Sequence, residues 1–371
     1  MGYLPENVMY NVLSRLPVKT IIHCKCVCKD WQNLILDSYF VDLHLSRSRE
    51  GLMIHHLSHQ NALSDGKTGF LKFVETEDEA DHHRMLRDLV MSIDLNGANL
   101  FPYTTKVLVG SVNGLICLWE YGGRKGDNTY ICNPITREYM MLPKQNFHTN
   151  TYCEVRYGFG VSRKGEYKVI RMFERSKSPN PVEVEVYTLG TNHWRTLDQG
   201  PVYVKRHDHV MDGLLLNGYV HWMDSDILFA FDLDNEKFHL FGPTPRRQRE
   251  SFSFLGVLKG CVSRFSWSYE RFTVWMMKEH GIKKSWHKEL EIKYNTITRV
   301  DTWLPSCLID GLNNTSILIV YDGEKDKLVA YCLETDRVEE TGIYDNIFKV
   351  MTYRPSFLKL QNFQSEGVHV F

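Results

Sequence analysis

The chain has 371 residues, 43% hydrophobic and 24% charged, enough to bury a full-sized core in one large domain plus a small one, or in two medium ones. A formal net charge of −1 gives no overall drive toward DNA, RNA or an anionic membrane, because such binding draws on a local surplus of Lys and Arg. Nine cysteines are too sparse for a disulfide framework, so reduced thiols in the cytoplasm and/or nucleus are expected.

The opening MGYLPENVMYNVL has no basic region leading into an apolar one. No window reaches the roughly 18 uncharged apolar residues a membrane span needs, so neither secretion nor membrane insertion is expected. The start MG invites a lipidation reading, but Glu6 stands where that signal wants a small hydroxyl residue. Pro5 suits the first turn of a helix, and Val8, Met9, Val12, Leu13 and Leu16 then fall on one stripe at helical spacing. Pro17 stops that helix. A second apolar set, Val18, Ile21 and Ile22, leads through CKCVCKDW to Trp31, Leu34 and Ile35, again three and four apart.

Two or three short helices in about 40 residues are at the lower limit of an independent core, so an apolar face must be covered by a partner or by the next domain. Cys24, Cys26 and Cys28 alternate, yet on a helix 24 and 28 share a face while 26 points elsewhere. With no CxxC knuckle and no second pair they read as buried free thiols and not as a metal site. A domain boundary is expected after LHLSRSRE, dividing the chain into residues 1–46 and 47–371.

Beyond it the pattern changes to short runs of Val, Ile, Leu, Tyr and Phe broken by Gly, Asn, Asp and Pro, and 19 Tyr, 19 Phe and 8 Trp favour pleated, half-buried surfaces. Strands are expected in KVLVGSVNGLICLWE (106–120), YKVIRMFE (167–174), VEVEVYTL (182–189) and FTVWMMKE (272–279), with hairpin turns at Asn113-Gly114 and Asn217-Gly218. A unit of strand, polar turn and returning apolar residue recurs in segments starting at 130, 184, 228, 290 and 328, with returns at Tyr139, Trp194, Phe238, Val300 and Val338. An irregular period of roughly 40 to 60 residues is that of a four-stranded propeller blade with loop insertions. The charged stretch ETEDEADHHRMLRDL (75–89), with room for a helical turn, and RSKSPNP (175–181) read as solvated loops.

Chemistry-bearing motifs are weak. His55, His56, His59, His82 and His83 lack the spacing of a metalloprotease helix and read as solvated surface. GKT at 66–68 lacks the leading glycine of a phosphate loop, where Asn61 stands, and NNTS at 313–316 reads as a polar loop. No GxSxG elbow occurs. RRQR (246–249) and GIKK (281–284) read as a solvated rim, with steering of an acidic substrate as the functional alternative. Trp119, Trp194, Trp222, Trp267, Trp275, Trp286 and Trp303 read mostly as core or sheet-contact residues, with one or two on an open face serving as binding anchors.

The segment LPENVMYNVLSRLPVKTIIHCKCVCKDWQNLI resembles the F-box, through Leu4 and Pro5, Leu13, the Leu16-Pro17-Val18 corner and Val27, Cys28, Lys29 and Trp31. Cys24 and Cys26 depart from it, standing where the family more often has Arg or a larger apolar residue. Later blocks, among them VGSVNGLICLWE, CNPITREYMMLP, GLLLNGYVHWM and ILFAFDLDNEKF, resemble the F-box associated domain of the large plant families. The resemblance implies a mainly β protein, a trihelical F-box followed by a β-propeller-like domain similar to kelch propellers. It implies a substrate-recognition subunit of a Skp–cullin–F-box ubiquitin ligase, with no catalytic group, cofactor or metal. The partners implied are a Skp-type adaptor, through it a cullin and a RING protein, and a target protein, with neither nucleic acid nor membrane. Adaptor contacts are expected from Leu4, Pro5, Val8, Leu13, Leu16, Pro17, Val18, Ile21, Val27, Cys28 and Trp31. Nothing in the sequence assigns the substrate-binding residues. The competing readings are an F-box scaffold or receptor subunit acting outside ubiquitination, and a propeller enzyme, for which no convergent carboxylate pair or metal cluster is legible.

Overall fold

A computed structural model of the chain describes residues 5–58, 68–76, 86–94, 105–121, 128–144, 155–173, 182–201, 213–246, 250–268, 270–293, 303–310, 316–335, 337–344, 347–363 and 367–370. Four helices come first: α1 (Glu6–Leu13), α2 (Val18–Cys24), α3 (Lys29–Leu36) and α4 (Ser38–Arg47). The sequence reading ended the helices at three. The fourth starts because the Asp37 carboxylate accepts the Tyr39 N–H at 2.9 Å, an N-cap that satisfies one of the orphan amides of a new helix.

Among the described residues that follow, strands dominate, with short 3-10 turns at Lys283–Ser285 and Leu360–Asn362. The first sheet-forming run is β1 (Gly51–Ser58), β2 (Thr68–Thr76) and β3 (Leu86–Asp94), then β4 (Thr105–Val112), β5 (Leu115–Tyr121), β6 (Thr129–Asn133) and β7 (Glu138–Met141). Next come β8 (Val155–Val161), β9 (Tyr167–Phe173), β10 (Glu183–Thr188) and β11 (Trp194–Leu197), and β12 (Leu214–Leu216), β13 (Tyr219–Asp224), β14 (Ile227–Asp232) and β15 (Lys237–Pro243). Then follow β16 (Phe252–Leu258), β17 (Cys261–Trp267), β18 (Arg271–Met277) and β19 (Trp286–Lys293), and β20 (Trp303–Asp310), β21 (Ser316–Asp322), β22 (Lys327–Cys332) and β23 (Val338–Tyr344). The chain closes with β24 (Ile347–Tyr353) and β25 (Val368–Val370).

By contact density the chain divides into two compact units, one of residues 1–122, 129–141 and 345–371, the other of 123–128 and 142–344. The first unit holds the helices and two antiparallel sheets, ordered β24-β1-β2-β3 and β25-β7-β6-β5-β4. Strands from the far end of the chain therefore complete both: β24 pairs with β1 through Gly51↔Tyr353 and Met53↔Met351, and β25 pairs with β7. The second unit holds four antiparallel meanders, β8 to β11, β12 to β15, β16 to β19 and β20 to β23.

Inner strands are buried on both faces, as in β6, β9 and β14, whereas the outer strands β11, β15 and β19 are open to solvent. Within the second unit, Ile170, Val184 and Val186 pack with Val220, Trp222 and Phe231. The Trp222 indole N–H donates to the Tyr157 carbonyl at 3.0 Å. A separate core joins Phe265, Phe272 and Val274 to Leu318, Val320 and Tyr331.

Both Asn-Gly hairpins form where expected, between β4 and β5 and between β12 and β13. Asn113, Gly114, Asn217 and Gly218 all have positive φ, the mirror-image turn that matches strand twist. Four of the five repeat units are hairpins: β6–β7, β10–β11, β14–β15 and β22–β23. Of the unit read from 290, the strand is the end of β19, which pairs with β18. Its turn and its return at Val300 lie outside the described residues.

Two readings of reactive residues and one of a loop change. His55 and His56 are buried inside β1, between β24 and β2, and are not on a solvated loop. His59, His82 and His83 lie outside the described residues, as do Asn61, 66–67, 175–181, 247–249 and 313–315. Of the alternating cysteines Cys24 is buried, while Cys26 and Cys28 are exposed, because the chain leaves α2 at Cys24 and turns outward. In the charged stretch, residues 86–89 open β3, with Leu86 opposite Thr76 and Leu89 opposite Val74, while 77–85 lie outside the described residues. Trp119, Trp222 and Trp267 are buried; Trp194, Trp275 and Trp286 are half-buried. Among the described residues no helix is long and apolar enough to cross a membrane.

Candidate adaptor-docking face

Proline sets both of the first two helix starts. Pro5 and Pro17 have φ −55° and −56° with extended ψ, and the Pro5 carbonyl accepts from the Val8 and Met9 amides at 3.0 and 3.1 Å. The orphan amide of Val18 at the start of α2 donates to the Glu75 carboxylate of β2 at 2.9 Å, so the sheet itself caps the helix. At the other end, the Arg47 guanidinium of α4 donates to Asn11 Oδ1 at 2.9 Å and to Ser14 Oγ at 2.6 Å, tying α4 to α1.

The inward faces of these helices do not end in a helical core. Leu13, Val18, Ile21, Cys24, Ile35, Phe40 and Val41 are buried in one cluster with Met53, Phe73, Tyr353 and Phe357. Phe357 is the meeting point: the Phe40 ring lies 6.1 Å away, His44 meets its edge at 5.1 Å, and Lys25 Nζ stands 5.9 Å over its face. Burial pushes the His44 imidazole down to about 4 and also lowers the Lys25 ammonium, helped there by Lys359.

The expected contact set therefore divides. Leu13, Val18 and Ile21 are 2%, 2% and 0% exposed and belong to this internal core, so they are corrected from docking contacts to structural ones. Val8 and Val27 are 38% and 63% exposed, and Pro5 and Cys28 are open as well. Leu16, Pro17 and Trp31 are half-buried, Leu16 and Trp31 with their inner edges against the cluster. Leu4 lies outside the described residues. Two exposed residues were not in the set: Val12, at 50%, and Tyr39, at 60%, which meets Tyr10 edge-on at 5.1 Å. Val12 was findable, since it stands one helical turn after Val8 on the same stripe. Tyr39 carried no such signal, because α4 was not foreseen.

This face has apolar anchors and no reactive constellation. Among the described residues no group of three or more His, Cys, Asp and Glu side chains is placed to hold a metal ion.

Residues 90–360 match the F-box associated β-propeller domain, so the chain belongs to that family and the six sheets are blades of its fold. Residues 3–43 match the F-box domain itself, which makes this an F-box protein of the plant type, and F-box domains generally bind Skp-type adaptors. Relatives from Arabidopsis thaliana accord with this. An F-box/kelch-repeat protein is 26% identical over 330 residues, 86% of this chain and 87% of the relative. A second F-box protein is 27% identical over 84% of this chain and 75% of its own length, and the F-box protein CPR1 is 24% identical over 93% and 86%.

Proposed function

We propose that the protein is the substrate-recognition subunit of a Skp–cullin–F-box ubiquitin ligase. The observation that carries this is the split of the F-box helices. One side is rooted in the sheets of the first unit, while Val8, Val12, Val27 and Cys28 remain uncovered on a segment that matches an adaptor-binding domain. In this reading residues 1–46 dock on the adaptor, residues 47–371 hold the target, and the adaptor connects the chain to a cullin and a RING protein. The chain contributes no catalytic group; it raises the concentration of target lysines near the conjugating enzyme. None of the described cysteines is joined in a disulfide, in keeping with the cytoplasm or nucleus.

The test is reconstitution of the chain with a Skp-type adaptor, cullin and RING protein, asking whether a captured protein acquires ubiquitin. Replacing Leu16 and Pro17 by Ala removes a half-buried anchor and the corner that orients α2, and losses at such anchors cost about 2 kcal/mol or more, roughly 30-fold in affinity. That variant is expected to keep its target and lose ubiquitination. Adaptor binding without any ubiquitin transfer would point instead to a scaffold role outside ubiquitination.

A further inference from the structure

We propose that one end of the second unit, where the hairpins β8–β9, β12–β13, β14–β15 and β18–β19 come together, is the target-binding surface and takes an acidic polypeptide segment. This rests on the substrate-receptor reading above and names the surface and the chemistry of its ligand.

Tyr219 stands at the centre, held half-buried directly after the Asn217-Gly218 turn. The Arg163 guanidinium, from the β8–β9 hairpin, lies 5.9 Å over its ring and donates to the Asn217 carbonyl at 3.4 Å. His280, from the β18–β19 connection, is 4.9 Å from the same ring, and His239 of β15 meets it edge-on at 5.9 Å. Three sheets thus place one group each around a single phenol.

The platform is fixed from below. His221 is fully buried, its Nδ1 is 3.1 Å from the Leu214 carbonyl and its Nε2 is 2.8 Å from His280 Nε2. A neutral His221 that donates from Nδ1 accepts at Nε2 from the His280 N–H, which sets both rings. Phe241, 5.1 Å from His280, closes the side, and Gly281 packs on that phenylalanine.

Charge decides which ligand fits. The carboxylates of these hairpins are largely engaged internally: Glu166 and Glu236 each pair with Lys168 at 3.0 Å, Glu236 also with Arg195 at 2.7 Å, and Asp234 with Arg163 at 4.0 Å. Asp232 accepts the amides of Asp234 and Asn235 at 2.9 and 3.1 Å. Lys164, Lys283 and Lys284 are exposed and have no carboxylate partner among the described residues, and Glu279 is the exposed acid of the same connection. The meander topology sends β13–β14, β17–β18 and β21–β22 to the opposite end, and there, among the described residues, the turns carry Asp226, Glu270, Glu324 and Asp326 against Lys325 and Arg271, the latter 3.2 Å from Glu270. The two ends differ in the sign they offer a ligand. An Arg, a Tyr and a half-exposed apolar Ile282 inside a lysine rim is the composition of a protein-binding hot spot, with charge giving selectivity.

The experiment uses the full chain purified with its Skp-type adaptor and three short fluorescent peptides around one Trp, with flanks of Glu, Gln or Lys. Fluorescence anisotropy at low salt is expected to show the Glu peptide binding about tenfold tighter than the Gln peptide, the gap closing at high salt as the charges are screened. The triple variant Lys164→Glu, Lys283→Glu, Lys284→Glu is expected to reverse the preference toward the Lys peptide and to keep its adaptor. Ile282→Ser is expected to weaken the Glu peptide, and Lys325→Glu, at the opposite end, to leave it unchanged. Equal binding of the Glu and Gln peptides, or an unaltered preference in the triple variant, would overturn the assignment. Failure of the wild-type chain to hold its adaptor would instead sink the receptor reading.

Discussion

Leu13 and Val12 are adjacent in sequence and serve different ends. Leu13 is sealed in the core shared with the sheets, so Leu13→Ala leaves a cavity and is expected to cost about 3 kcal/mol of stability, read by urea unfolding. Val12 is half exposed, so Val12→Asp is expected to change stability by no more than about 0.5 kcal/mol. Its adaptor affinity should nonetheless drop by about 30-fold, read by calorimetric titration. If Val12→Asp unfolds the chain, the division between inner and outer faces is wrong.

His44 supplies a second residue-scale test. Burial holds its folded-state pKa at about 4, below the ordinary value of about 6.5 in an unfolded chain. The unfolded state therefore binds the extra proton first, and the stability that neutral His44 contributes is full above about pH 6.5 and declines as pH falls toward 4. The whole loss is up to about 3 kcal/mol. His44→Leu is expected to flatten that slope between pH 6.5 and 4.5, and an unchanged slope would contradict the burial. The sequence could show that Leu13 and Val12 lie on one stripe, because spacing is a local property. It could not show which of them faces Phe357, a residue more than three hundred positions away, nor that His55 and His56 would be covered on both sides by β24 and β2.

At the scale of elements, the turn chemistry was the most legible feature. Asn-Gly fixes a two-residue hairpin wherever strands flank it, and both predicted turns formed. Their tolerance differs because their surroundings differ. A Cβ on Gly114 would lie 2.4 Å from Ser356 Cβ and 2.7 Å from its backbone nitrogen, whereas one on Gly218 would come no closer than 3.3 Å to the flexible Arg163 chain and 3.7 Å to Asp234 Oδ2. Both carry positive φ, so each Ala substitution costs roughly 1 kcal/mol in backbone strain, and Gly114→Ala must also displace the Ser356 segment. Thermal unfolding is expected to place Gly114→Ala several degrees below Gly218→Ala; equal melting temperatures would refute the packing of that segment. The β18–β19 connection shows the opposite case: it runs through a 3-10 turn at Lys283–Ser285, and no Asn-Gly pair marks it in the sequence.

At the scale of the whole molecule, the fold class was legible and the independence of the helical module was not. Composition and spacing gave four-stranded units and a short helical start. They also said that the helices needed a cover, leaving open whether a partner or the next domain supplied it. The sheets of the first unit take the inner faces, through Phe73, Tyr353 and Phe357, and the outer face is left open. Deleting residues 1–46 would uncover those aromatics along with Met53. The truncated chain is therefore expected to aggregate, measured by light scattering, and a stable monodisperse truncation would show the helices to be an appendage.

The central claim is that the open faces of α1 and α3, with the α2–α3 turn, dock a Skp-type adaptor while the rest of the chain remains free for a target. Hydrogen exchange of the chain with and without the adaptor tests it most directly. The account predicts new protection across residues 5–34, strongest around Val8 to Pro17 and Val27 to Trp31, and none in β8 to β23. Protection confined to those strands, or no complex at all, would contradict it.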